Sequence, residues 1–509
     1  MTTDVPQTTR PPADRSSKKA GATALFSVML LLVVWGVWRR SAAPASGPQD
    51  HPETAAAAVS GPNVLLISID MLRADHVHCY RYQRQTTPHI DQLAAEGVLF
   101  ENHISSTSWT LPAHAAMFTG LADSVHGCTD TDRRLPDKLV TLAERFAAAG
   151  YRTVGFYSGP FLHPAFGLGQ GFEHYQNCTS YAKLLDESPP EQWNADKTVE
   201  RSSHADVTNP IVYAAVKDWL TAHHQSRFFM FVHMWDPHFD FIPPPPYDTM
   251  WDPDYHGSID GRNFFHNKDI NAALPARDIE HLIALYDGEI TCTDEYVGRI
   301  IDELRNYGVL DKTVVVVTAD HGTEFFEHGD KGHRKTLFDE VLRIPLILRY
   351  PDKLPAGRRV AAQTRMIDLA PTLLELAGLP AAPDMMGHSL VALATSGTRD
   401  FDNTAVSELF SVRRELRALR TIQWKYIHDL ARKQQYYYRL LDDPRELYPE
   451  SDFNSPLGLN LQSLYERAVS NLDDWRQRVL AGQQPASIPN GVRRQLESLG
   501  YVGDKEHEE

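Results

Sequence analysis

The chain has 509 residues, 42% of them hydrophobic and 23% charged, with a formal net charge of -16. That composition belongs to a globular protein with ample apolar residues for a large core, and one main catalytic domain plus an appendage accounts for the length. The acidic excess argues against a nucleic-acid partner, which requires a basic face, and four cysteines without a CxxC pair exclude a zinc ribbon and a dithiol redox motif.

The first element in chain order is "ATALFSVMLLLVVWGVW", residues 22–38, an uncharged stretch of roughly bilayer-spanning length. Arg10, Arg15, Lys18 and Lys19 precede it, and Arg39 and Arg40 follow. By the positive-inside rule, residues 1–21 form a cytoplasmic leader, 22–38 a transmembrane signal anchor, and the catalytic body is membrane-anchored outside the cytoplasm, in the periplasm or the extracellular space. A cleaved signal peptide is the alternative, because "APAS" (Ala43 to Ser46) offers small residues to a peptidase. Residues 39–61, rich in Ala, Pro, Ser and Gly, form a flexible linker. Cys79, Cys128, Cys178 and Cys292 fit either one or two disulfides or four buried thiols.

The folded part follows. "NVLLISID" is an apolar strand ending in an acid, "TPHIDQLAAEGVLF" is helical, and further runs alternate, among them "YRTVGFYS", "RFFMFVHMW" and "TVVVVTADHG". Alternation of this kind predicts an α/β domain over 62–385, with a large, mostly parallel sheet flanked by helices. After a closing helix in "MIDLAPTLLELAGLP", the segments "ALRTIQWKYIHD" and "QQYYYRLLDDPRELYPE" predict a small C-terminal antiparallel subdomain over 386–450. Residues 451–509 complete the chain as a helical segment and charged tail.

In such folds functional groups collect at the carboxyl ends of strands. Asp70, the "DPH" ending in His238, and the pair Asp320 and His321 all stand where a strand runs out. Asp70, Asp320 and His321 together supply oxygen and nitrogen ligands suited to a divalent metal ion, whereas Arg73 and Asp75 can simply pair on the following turn. Thr110 opens an apolar helical pattern and is open to two readings. It is an N-cap, or it is a nucleophile at the positive end of a helix dipole, where an anion is held and a neighbouring cation promotes its deprotonation. His238, His333, Arg334 and Lys331 are candidates for contact with an anionic group.

The ordered series "NVLLISIDMLRAD", "SWTLPAHAAMFTG", "FVHMWDPH", "YDGEITCTDEYVG", "VVVVTADHG", "GHRKTLFDEVLRIPLIL" and "MIDLAPTLLELAG" resembles the sulfatase family of the alkaline phosphatase superfamily. The resemblance implies a divalent metal bound by Asp70, Asp320 and His321 beside Thr110. Sulfatases carry C-x-P-S-R or S-x-P-x-R, whose first residue matures to formylglycine. Here Thr110, Leu111, Pro112, Ala113 and His114 stand in those positions, and the β-methyl of threonine closes that route. Threonine is the nucleophile in similar enzymes, the nucleotide pyrophosphatase/phosphodiesterases and the phosphoethanolamine transferases. His333, twelve residues after His321, is similar to a second histidine of the transferases. The "DPH" is not the D-x-x-x-H of the phosphodiesterases, so one ion (Ca, Mg, Mn or Zn) is expected rather than two.

The resemblance therefore implies a metal-dependent hydrolase acting on an anionic ester of a lipid headgroup, glycan or small molecule. In-line attack by Thr110 on phosphorus is the favoured chemistry, with His114, His238 and His333 donating hydrogen bonds and Arg334 and Lys331 contacting substrate. A sulfuric ester hydrolase without formylglycine is the alternative, and an inactive membrane-anchored protein that binds anions or glycans is a third reading.

Overall fold

The computed structural model describes residues 61–179, 206–398, 404–411, 414–481, 486–491 and 493. The leader, the signal anchor at 22–38 and nearly all of the linker lie outside the described residues. Among the described residues no helix is long and apolar enough to cross a membrane.

The main sheet has eight strands: β1 (Asn63–Ile69), β2 (Val98–Ile104), β3 (Arg152–Tyr157), β4 (His174–Asn177), β5 (Phe228–Met234), β6 (Thr313–Ala319), β9 (Arg343–Arg349) and β10 (Arg358–Arg365). Between β6 and β9 the chain forms a short hairpin of β7 (Glu324–Phe325) and β8 (Lys331–Gly332). The order across the sheet is β10-β2-β9-β6-β1-β5-β3-β4. Strands β1, β5 and β6 are buried along their whole length, as expected for parallel strands covered on both faces. Only β9 runs against its neighbours β2 and β6, so β2 runs parallel to β1 and β6. Four strand ends therefore open on one edge of the sheet: Asp70 after β1, Ser105 after β2, Met234 on β5 and Asp320 after β6.

The C-terminal antiparallel sheet is β11 (Ala405–Phe410), β12 (Glu415–Arg420), β13 (Trp424–Asp429) and β14 (Gln434–Arg439), in that order. The helix Pro456–Leu480 packs Leu461 and Tyr465 against Leu419, Tyr426 and Tyr437 of this sheet. Among the contacts that tie the small sheet to the large domain are three sets of polar bonds. The Ser407 hydroxyl donates to the Ser105 carbonyl at 2.7 Å, and the Glu408 N–H donates to the Ser106 carbonyl at 2.8 Å. In the third, the buried Lys425 ammonium lies 2.9 Å from both Asp339 and Glu446, while Arg420 grips Asp339 through two nitrogens. All four cysteines are free thiols, three of them buried.

Candidate active site

The segment Ser105–Trp109 leads from β2 into the helix Thr110–Thr119, every residue of which is buried. Pro112 falls in the first turn, where its missing N–H has no intrahelical partner to lose, and Gly120 ends the helix at φ 66°. The N-cap is Trp109, not Thr110, and no side chain caps this end. The capping reading of Thr110 is thereby corrected: its hydroxyl lies 3.3 Å from His321 Nε2.

His321 and the two acids converge on that hydroxyl. His321 Nδ1 lies 2.8 Å from the Gly322 carbonyl. A carbonyl only accepts, so this partner assigns the ring proton to Nδ1 and leaves a lone pair on Nε2. Nε2 lies 3.5 Å from Asp70 Oδ1 and 3.5 Å from Asp320 Oδ2. Asp70, Asp320 and His321 are completely buried. Both oxygens of Asp70 and Oδ2 of Asp320 lack hydrogen-bond partners. Burial pushes the Asp70 carboxyl up to about 7 against the pull of His321. Asp320 Oδ1 accepts from the backbone N–H of His321 and of Met71, whereas the other three carboxylate oxygens, buried beside an imidazole lone pair, are costly unless a cation compensates them. The ligand atoms of Asp70, Asp320 and His321 lie within 4.8 Å of one another and fit a divalent ion.

The other candidates divide. The His333 ring centroid is 4.6 Å from that of His321 and 5.3 Å from that of His238, so these three imidazoles adjoin Thr110 as one group. His238 stacks on Trp235 at 3.9 Å and is hydrogen-bonded through Nδ1 to the Phe239 carbonyl, so in the neutral ring Nε2 is the acceptor. Arg334 sits at φ 64°, its N–H bonded to the Ser108 carbonyl, with its guanidinium carbon 4.1 Å above the Trp109 ring. Stacking on the residue next to Thr110 orients its planar cation at the site.

Two expectations are corrected. The Lys331 ammonium donates to the carbonyls of Phe264, Asn267 and Ile270 at 2.7, 3.0 and 2.6 Å. It is a strut for the 264–270 loop, and its three protons are already engaged by protein. His114 is wholly buried, with Nδ1 donating to the Thr110 carbonyl at 2.8 Å and Nε2 3.0 Å from the Ser68 hydroxyl. With both nitrogens engaged, it braces the first turn of the helix and offers no N–H to an ester oxygen.

One residue escaped the sequence reading. His233, inside the apolar run of β5, is fully buried, and its Nε2 lies 3.4 Å from Asp70 Oδ2. A cavity of about 670 Å³, lined among others by Arg365, Met385, Arg467 and Trp475, lies beside the C-terminal helix, and none of the candidate catalytic residues lines it. Convergent polar chemistry, not cavity size, therefore marks the site.

The main sheet thus carries acids and histidines at the ends of its central strands, the arrangement in which α/β enzymes gather their functional groups. Residues 62–379 match the sulfatase family and residues 327–463 match the N-sulphoglucosamine sulphohydrolase C-terminal family. The chain belongs to the sulfatase family and is an ester hydrolase. It is 23% identical over 471 residues to the N-acetylglucosamine-6-O-sulfatase of Bacteroides thetaiotaomicron, covering 76% of this chain and 82% of that one. It is 26% identical over 406 residues to PehA of Trinickia caryophylli, a multifunctional alkaline phosphatase superfamily protein, covering 66% and 77%. The phosphonate monoester hydrolase of Agrobacterium radiobacter shares the fold, with a TM-score of 0.65 at 23% identity, covering 82% of this chain and 96% of that one.

Proposed function

We propose that this hydrolase cleaves an anionic phosphate ester by in-line attack of Thr110, at a centre where Asp70, Asp320 and His321 hold a divalent ion. The observation that carries the reading is the Thr110 hydroxyl, 3.3 Å from His321 Nε2 at the start of a buried helix. A divalent ion bound there supplies a Lewis acid that favours the alkoxide of Thr110 and neutralises charge on the ester oxygens.

Thr110 Oγ1 forms a bond to phosphorus as the bond to the leaving alcohol breaks, giving a phospho-threonine and the free alcohol. Water then attacks phosphorus, releases phosphate and restores the threonine. The helix N-terminus favours the anionic group, and Arg334 pairs with its outer oxygens. His333 and His238 stand where they can assist the ester and the attacking water. Threonine suits this route because phosphoryl transfer needs only an oxygen nucleophile, whereas expulsion of sulfate from formylglycine hydrate needs a carbonyl that threonine cannot form.

A sulfuric ester substrate is the second reading, supported by the family match and by the sulfatases among the relatives. The test is turnover of nitrophenyl phosphate, phosphodiester and sulfate by the full-length protein with Mg, Ca, Mn and Zn. Phosphate ester turnover without sulfate turnover is expected; preferred turnover of sulfate overturns the phosphoryl assignment. The basic leader and apolar run at 22–38 further support a membrane-anchored enzyme acting outside the cytoplasm. Protection of the catalytic domain from protease added to cells stripped of any outer membrane, with the cytoplasmic membrane intact, would overturn that location.

A further inference from the structure

His233 belongs to β5, opposite Ser68 in the parallel register with β1. Its Nδ1 lies 2.9 Å from the Ser158 carbonyl, which fixes the ring proton there and leaves the lone pair on Nε2. That Nε2 is buried and has no hydrogen-bond partner, and it faces Asp70 Oδ2 at 3.4 Å, an atom equally without one. His233 and Asp320 also belong to a second group of potential ligand atoms within 4.8 Å of one another. The third member of that group, His114, is unsuited because its nitrogens serve Thr110 and Ser68.

The arrangement mirrors that of His321, whose proton is likewise held by a backbone carbonyl and whose lone pair faces Oδ1 of the same aspartate. Two imidazole lone pairs thus approach the Asp70 carboxylate through its two different oxygens, and with both ring protons held by backbone carbonyls neither imidazole donates to it. Lone pairs facing each other in a low-dielectric interior repel unless a cation lies among them. A carbonyl behind each ring is the outer support that metal-bound histidines characteristically have.

We propose that His233 is a ligand of the metal centre, which then comprises two imidazoles and two carboxylates. An inference about the same centre, it rests on the metal-dependent reading above. The donor set selects ions that accept imidazole, such as zinc or cobalt, over calcium and magnesium, which prefer all-oxygen surroundings.

The test loads the chelator-stripped full-length protein with zinc, then measures zinc per chain by elemental analysis and imidazoles per zinc by X-ray absorption. The product of the two numbers is the count of bound imidazoles per chain. Two are expected in the natural protein and in His238→Ala, and one in His233→Ala, with zinc affinity at least about tenfold weaker and excess calcium unable to displace zinc from the natural protein. A count of one in the natural protein, or unchanged affinity in His233→Ala, overturns the assignment of His233 alone. If the natural protein binds no zinc, and none of Mg, Ca or Mn when loaded with each in turn, the metal centre itself fails. The count on the natural protein decides the question even if His233→Ala does not fold.

Discussion

The Thr110 hydroxyl and His321 Nε2 are 3.3 Å apart, and the carbonyl of Gly322 fixes the imidazole so that its lone pair faces the threonine. Removing the hydroxyl removes the proposed nucleophile while the helix and the acids stay in place. Thr110→Ala is therefore expected to lower kcat by at least roughly 10³-fold with an unchanged circular dichroism spectrum, and Thr110→Ser to retain turnover. Normal turnover by the alanine variant would remove Thr110 from the mechanism.

Arg334 contributes a planar cation stacked on Trp109, the residue before Thr110. Arg334→Ala should cost about 1.5–3 kcal/mol of transition-state binding, roughly 10–150-fold in kcat/KM. Arg334→Lys should recover little of it, because an ammonium does not reproduce the stacked fork. Steady-state kinetics on one phosphate ester compares the three proteins.

Lys331 acts elsewhere. Exchanging it for Met leaves three backbone carbonyls without their donor, and a stability loss of about 1–3 kcal/mol is expected in urea unfolding. KM for the ester should change less than it does in Arg334→Ala. The opposite ranking would return Lys331 to the substrate.

The contact of the small sheet with the large domain depends on Lys425, which lies between Asp339 and Glu446 in the interior. Lys425→Met leaves buried carboxylates without this cation and should destabilise the protein by about 3–5 kcal/mol. Thermal unfolding monitored by calorimetry reads this loss directly.

A pH-dependent stability term resides in Glu324. Burial pushes its carboxyl up to about 8, with Glu340, Asp330 and Glu327 adding to the rise against the hydrogen bond from Thr336. A carboxyl raised in the folded state holds its proton more tightly there than in the unfolded chain. Its contribution is complete below the unfolded value near 4.5 and is lost as pH rises through about 8. Glu324→Gln keeps an acceptor for Thr336 and removes the titration. The variant should match the natural protein at pH 4 and exceed its stability by about 3 kcal/mol at pH 9, as urea midpoints at the two pH values would show.

The strand-end acids were legible because a wholly apolar run that stops at an aspartate is a strong local signal, and β1 and β6 have that form. The single reversed strand β9 was not legible, since "IPLIL" has the same texture in either direction. His233 was hidden for a related reason: a strand buried on both faces has no polar side from which a functional histidine could stand out. The fate of Lys331 depends on three carbonyls more than 60 positions earlier in the chain, and no local pattern encodes such a contact. Likewise, the "T-x-P" segment located Thr110, but the engagement of His114 with Ser68 is a tertiary fact.

The clamp on the segment before Thr110 has a temporal consequence. Ser407 holds the Ser105 carbonyl from 302 positions further along the chain. At a synthesis rate of about 5–20 residues per second, Ser105 is made roughly 15–60 s before the residue that clamps it. A nascent chain stopped before β11 thus carries the threonine without the Ser407 contact on the segment that leads into it.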